Sequence, residues 1–315
     1  MRARILHVAW GAVLVLAVVF VLLRSGLDTD YVIPRRLLRL GAMLIGGVCI
    51  AWSSIIFQTL TANRILTPAI MGYEATYLLW QAVLILLMGM SSVVVLGSTG
   101  NFVLSLLLML AYSWALHRWL LRDRQRDLHS VLLVGLVLTM VIGTLTQFAQ
   151  LKVSPGEFSV LLGFSQASFN RVQPQQLLYA GLLVTAVWLI GRKTLATLDV
   201  LSLGRDQAIS LGVDYRRYVR LQLALIAVLV AVSTSLLGPM AFMGVFVANM
   251  TYALANTFRH RVTLWLGSAI AVAIFLLAQL LVEHVFNYRT TVGILVNLVC
   301  GSYFLALVVR TRGAP

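Results

Sequence analysis

The chain has 315 residues, 60% of them hydrophobic and 11% charged, with a formal net charge of +14, and its mean hydropathy is +0.94. A water-soluble globule of this size would need more polar surface than that, and 6 Pro and 23 Gly scattered among apolar runs exclude disordered and collagen-like chains. The positive charge would point to nucleic acid in a soluble protein, but here the basic residues punctuate apolar runs, so membrane lipid and not nucleic acid is the expected neighbour.

A bilayer crossing takes about 20 apolar residues. Charged residues, Pro and Gly divide the chain into ten candidates: Ile5 to Leu23, Leu37 to Leu60, Gly72 to Met90, Val93 to Leu116, Leu128 to Gln150, Gln176 to Ile190, Tyr218 to Leu237, Pro239 to Ala255, Val262 to Glu283 and Thr291 to Val309. The expected fold is all-α, a polytopic integral membrane protein with residues 1–315 as one transmembrane domain. The sixth and eighth candidates are short or polar, which leaves eight or nine spans as alternatives. Arg2 and Arg4 ahead of the first run resemble a signal peptide, but Phe20 to Ser25 offers no small-residue cleavage site, so the run reads as a retained helix. With the N-terminus inside, the cytoplasmic segments hold 17 of the 24 basic residues, and only Arg24, Arg35, Arg36, Arg39, Lys152, Arg171 and Arg289 fall outside. The positive-inside rule therefore predicts both termini in the cytoplasm.

Between the fifth and sixth spans, Ser154 to Gln173 is bracketed by Pro155 and Pro174 yet contains Phe158, Val160, Leu161, Leu162 and Phe164. A short helix dipping into the outer face and a plain surface loop both fit. Arg35-Arg36-Leu37-Leu38-Arg39-Leu40 at the second span is echoed by Arg216-Arg217-Tyr218-Val219-Arg220-Leu221 at the seventh, either as an inverted repeat or by coincidence.

Catalytic patterns are missing. The sequence has no HExxH, no paired-Asp motif, no GxSxG and no Walker sequence; Gly191-Arg192-Lys193-Thr194 lacks the P-loop spacing. Cys49 and Cys300 sit in apolar runs as small buried hydrophobes. The five His residues lie near span ends and predict no metal site. Glu74 falls in the first turn of the third span, where it can favour the helix dipole and reach the interface, or serve transport; Glu283 closes the ninth span. Gln58, Gln147, Gln150, Gln279 and Asn297 are candidates for a water-filled path or for interhelical hydrogen bonds.

Three segments carry a resemblance. Phe57-Gln58-Thr59-Leu60-Thr61-Ala62-Asn63-Arg64-Ile65-Leu66-Thr67-Pro68-Ala69-Ile70-Met71-Gly72 joins the second and third spans. Leu201 to Val213 reads L-S-L-G-R-D-Q-A-I-S-L-G-V, a short amphipathic helix between Gly204 and Gly212 with Ala208 and Leu211 three apart on one face. Leu237 to Asn249 reads L-G-P-M-A-F-M-G-V-F-V-A-N. In order and spacing these resemble the signatures of the FecCD-type permeases, the integral subunits of iron-siderophore and vitamin B12 ABC importers. Arg64-Ile65-Leu66-Thr67 replaces the usual Asn-Pro-Leu-Ala, and Ala248-Asn249 stands where Pro-His is common, a variant similar to the ferric catecholate branch. Near the C-terminus, Thr291 and Ser302 stand where that family has Pro.

The resemblance implies a type II ABC importer permease of the bacterial inner membrane that moves a ferric siderophore by alternating access. ATP and Mg would be bound by a separate cytoplasmic ATPase dimer, with no cofactor and no catalysis in this chain. It implies a coupling helix within residues 199–214, with Leu203, Gly204, Ala208, Leu211 and Gly212 at its centre. It also implies a second permease subunit, for which the divergent motifs favour a heterodimer, and a periplasmic or lipid-anchored binding protein met by Arg35, Arg36, Arg39 and Arg289. Gln58, Pro68, Gly72, Gly238, Pro239, Gly244 and Asn249 are then the candidates for the path or its gate. A stand-alone secondary transporter and a membrane-embedded enzyme are the competing classes.

Overall fold

A computed structural model describes residues 2–23, 28, 30–89, 91–120 and 128–312, with backbone alone at 2–3, 91–94, 119–120, 128–131, 307–308 and 310–312. Arg24, Arg122, Arg124 and Arg126, which entered the charge count, lie outside the described residues. The helices are α1 (Arg2–Leu22), α2 (Val32–Thr61), α3 (Tyr73–Met88), α4 (Ser91–Leu120), α5 (Leu128–Gln150), α6 (Pro155–Ser165), α7 (Pro174–Gly191), α8 (Leu195–Leu201), α9 (Arg205–Ser210), α10 (Tyr215–Leu237), α11 (Ala241–Ala255), α12 (His260–His284) and α13 (Val292–Arg312). No strand occurs among the described residues.

Each of the ten expected spans is a helix, including the sixth (α7) and the eighth (α11). Seven runs are long and apolar enough to cross a bilayer, with α7 and α8 counted as one run, and α3, α11 and Val292–Ala306 are shorter apolar helices. Several boundaries move by a few residues, and two of the shifts have a clear cause. Helix α2 begins at Val32 and not Leu37, because Pro34 is tolerated in a first turn and the arginines that follow find partners inside the chain. Helix α11 begins at Ala241 and not Pro239, because Gly238 takes φ +102° and the chain breaks there. Helix α8 was not expected. The stretch 154–173 contains α6, opened by Pro155 and by a capping box in which Ser154 and Glu157 satisfy each other's backbone N–H groups.

Helices α2, α10 and α12 are buried over most of their length, whereas α1, α4, α5 and α7 expose apolar faces. Lipid is as apolar as Leu, so close contact in such a bundle comes from shape. Small residues provide it: a Cβ on Gly47 would meet the Val272 side chain at 2.8 Å, one on Gly267 would meet Ile55 at 2.6 Å, and one on Gly46 would collide with Leu237. Helices α2 and α12 run antiparallel and are stapled at both ends, by Arg39 to Glu283 at 3.0 Å and by Thr59 to His260 at 2.8 Å.

The α6–α7 linker packs on the far end of α10, where the Ser168 N–H donates to the Leu237 carbonyl at 2.9 Å. Helix α9 abuts the near end, so the length of α10, about 34 Å at ~1.5 Å per residue, separates an α6 end of the bundle from an α9 end.

Candidate functional site

At the α9 end the backbone explains the glycines. Gly204 and Gly212 both have positive φ, +103° and +80°, where a Cβ is strained. The Gly212 N–H donates to the Ile209 carbonyl at 2.9 Å and the Val213 N–H to the Ala208 carbonyl at 3.0 Å. This pair of bonds is a Schellman motif with Gly212 at its left-handed position. Two residues on, the Asp214 carboxylate accepts from the Arg217 N–H at 3.1 Å and caps α10. The run Leu211-Gly212-Val213-Asp214 is thus a stop followed at once by a start.

Ala208 is fully buried, while Leu203, Ile209 and Leu211 are 54%, 51% and 62% exposed. The expected shared face of Ala208 and Leu211 is therefore corrected: Leu211, the C-cap of α9, reaches past the surface that buries Ala208 and leaves most of its side chain exposed. Ala208 seats the helix on the body, and Leu203, Ile209 and Leu211 form the free apolar rim. Ile209 was missed by the sequence reading, although it adjoins Ala208 in the same motif.

Behind α9, Asp199 on α8 joins this unit to the core. Its carboxylate accepts from the His260 N–H at 2.8 Å and pairs with His260 Nδ1 at 2.6 Å, while His260 Nε2 meets Thr59 Oγ1 at 2.8 Å. A continuous polar contact therefore runs from α8 through the first residue of α12 to the last turn of α2. The only advance signals were an acid inside the apolar run Leu198-Asp199-Val200-Leu201 and a His at a span start.

The candidate gating residues converge on one junction. Gln58 Nε2 and Asn249 Nδ2 both donate to the Arg64 carbonyl, at 2.8 and 2.9 Å. Pro68 opens a 3-10 turn, Pro68–Met71, that Gly72 closes at φ +89°. A Cβ on Gly244 would strike Ser54 and come within 3.2 Å of Thr67. The Gly238-Pro239-Met240 break faces this α2–α3 connection across a cavity of about 30 Å³ lined by Ser53, Ser54, Pro68, Glu74, Gly238 and Gly244. That volume admits a few waters at most, so these residues form a packed junction.

Glu74 does sit in the first turn of α3, but it does not reach the interface. Its carboxylate accepts the Met240 N–H at 3.0 Å, at the start of α11, where backbone N–H groups lack helical partners. The other candidate amides divide: Gln279 donates to Glu283 at 2.7 Å, Gln147 is exposed, and Asn297 Oδ1 is buried without a partner.

At the α6 end, Arg36 and Arg39 are not free to meet a partner. Arg36 Nη1 donates to the Phe20 and Leu23 carbonyls at 2.7 and 2.6 Å, closing the C-terminus of α1, and its Nη2 lies 3.7 Å from Glu283. Arg39 pairs with Glu283 at 3.0 Å. The Glu283 side chain is only 4% exposed, and a carboxylate so placed needs donors on several sides. Arg35, stacked 4.1 Å over the Tyr31 ring, and Arg289 remain exposed.

The FecCD transport family, described by that name, matches residues 3–310. The chain belongs to the FecCD transport family. It is similar to the petrobactin import system permease protein YclO of Bacillus subtilis, 35% identical with 89% of each chain covered. It is 32% identical to the petrobactin import system permease protein FatC of Bacillus anthracis, over 89% of this chain and 79% of that one. With the ferric enterobactin transport system permease protein FepG of Escherichia coli the identity is 26%, over 90% and 82%. Among solved structures, a metal-chelate type ABC transporter in an inward-facing conformation superimposes with a TM-score of 0.86 at 18% identity, over 98% and 99% of the two chains, and so shares the fold. As a member of the FecCD family the chain is a multi-pass transmembrane permease of an ABC importer, a transport component and not itself an enzyme.

Proposed function

We propose that this permease carries a ferric siderophore of the petrobactin or catecholate kind inward across the bacterial inner membrane, driven by an ATPase on separate cytoplasmic chains. The reading rests on one observation above the others: a short helix, α9, and the residues flanking it present Leu203, Ile209 and Leu211 outward from a mount tied to the core through Asp199, His260 and Thr59. Exposed apolar side chains on a stub too short to fold alone are what a partner cleft would cover. Counted along the sequence, 17 of the 24 basic residues fall in the segments assigned to the cytoplasm, the α9 segment among them, so by the positive-inside rule α9 and both termini face the cytoplasm and the α6 end faces outward.

Nucleotide binding then closes the ATPase pair, displaces α9, and biases the packing of α2, α10, α11 and α12 around the Gly238 break. A second permease subunit, in a heterodimer, supplies the other wall of the path. On the outer face Arg35 and Arg289 are the cations left to meet acids of a binding protein, where exposed pairs steer encounter more than they add affinity.

The test is uptake of radiolabelled ferric petrobactin and ferric enterobactin by cells expressing this chain with its neighbouring ATPase, permease and binding-protein genes. Accumulation that stops with ATP depletion or vanadate supports the proposal. Accumulation that persists without the ATPase and collapses with the proton gradient instead makes the chain a secondary transporter.

A further inference from the structure

Across Gly238 from the α2–α3 junction cavity, a second cavity of about 270 Å³ opens between α3, α4, α7 and α10, beside the α6–α7 linker, with Tyr77, Asn101, Phe102 and Arg171 among its walls. Most of its polar lining is already satisfied. Asn101 exchanges hydrogen bonds with Gln81 and accepts one from Trp80 at 3.0 Å, and Gln176 donates to Ser98 at 2.8 Å. Two groups stand out. Tyr77 is 4% exposed, and its hydroxyl makes no hydrogen bond among the described residues. Arg171 has one guanidinium nitrogen on the Gln166 carbonyl at 2.8 Å and its face over the Phe164 ring at 5.1 Å. No carboxylate pairs with Arg171 among the described residues.

A guanidinium carries five N–H donors and always its charge, and withdrawing it from water without a counter-charge is costly. Burial accordingly pushes Arg171 below its usual range. A cation and a hydroxyl, both facing one cavity and both short of acceptors, form a donor set for an oxyanion. A carboxylate matches the planar fork best, and Leu84 and Phe102 offer an apolar wall for a short tail.

We propose that this cavity binds a small carboxylate with a tail of a few carbons, its oxygens taken by the Arg171 guanidinium and the Tyr77 hydroxyl. The volume lies below the ~300–1,000 Å³ that drug-sized ligands occupy, so the site takes a small acid and not a whole ferric siderophore, and it adjoins the gating junction at Gly238, which borders both cavities. Occupancy would tie the α6–α7 linker, which packs on Gly238 through Ala167, to α3 and α4.

The test uses the purified transporter, this chain with its partner subunits, in detergent at constant ionic strength set with sodium chloride. Thermal unfolding is followed while sodium butyrate, or sodium phosphate, is titrated in. Butyrate should raise the Tm saturably, Arg171→Gln should abolish the shift, and Tyr77→Phe, which removes one oxygen and keeps the ring, should weaken the apparent Kd about tenfold. Should Arg171→Gln fail to fold, Tyr77→Phe carries the test alone. No shift with butyrate, or the same Kd in the wild type and Tyr77→Phe, overturns the proposal. Equal protection by phosphate overturns the carboxylate assignment in favour of inorganic oxyanions.

Discussion

Where α2 starts and α12 stops, a carboxylate, two guanidinium groups and an amide are drawn together and leave Glu283 4% exposed. At the opposite end, α9 leaves Leu203, Ile209 and Leu211 more than half exposed. Charge is hidden at the one end and apolar surface is displayed at the other, the reverse of what each would do in water. The contrast separates contacts that hold the chain together from surface that awaits another chain. Arg36 and Arg39 looked like docking groups because they are cations near a span start, and they are structural because Glu283 and the end of α1 are within reach.

The contrast can be broken at its strongest point by Gly212→Pro. Position 212 has φ +80° and Pro requires about −65°, so the α9 mount is lost; uptake should fall to background while the chain still fractionates with membranes, and Ala208→Glu, which forces a carboxylate into a fully buried position, should do the same. Normal transport by either variant removes the coupling role of α9.

Next in size is Glu283→Ala, which leaves Arg36 and Arg39 without their acid. A loss of about 3 kcal/mol or more is expected from an unpaired, largely buried cation, read as a lowered Tm of the purified protein. An unchanged Tm would return these arginines to the pool of docking groups.

A double change, Ile209→Ser with Leu211→Ser, sharpens the other side of the comparison. Both side chains are exposed in the isolated chain, so Tm should hold. Co-purification with the ATPase should weaken by at least tenfold, because each buried leucine-sized side chain contributes about 1.5–3 kcal/mol. The smallest effect belongs to Arg35→Ala: a few-fold slower association with the binding protein at low salt, vanishing at high salt.

Much of this was readable from the residues. Ten apolar runs matched ten helices, and Gly204, Gly212 and Gly238, singled out by motif, all have positive φ. The partners of polar groups were not readable. Arg39 and Glu283 lie 244 positions apart, and Glu74 and Met240 lie 166 apart. The exposure of Leu211 was not readable either, because spacing along a helix says which residues are neighbours and not how far the body of the protein extends to cover them.

By itself the sequence determined the solvent, the places of the apolar spans and the family, because lipid requires every span to satisfy its own backbone and to show apolar side chains for about 20 residues. These are local demands that a linear pattern records. Tertiary structure alone decided which cations are spent inside the chain, that Gln58 and Asn249 share one carbonyl, and that Arg171 and Tyr77 face a common cavity. Those outcomes depend on which helices lie side by side, and buried polar groups take whichever partner that packing places within hydrogen-bond reach.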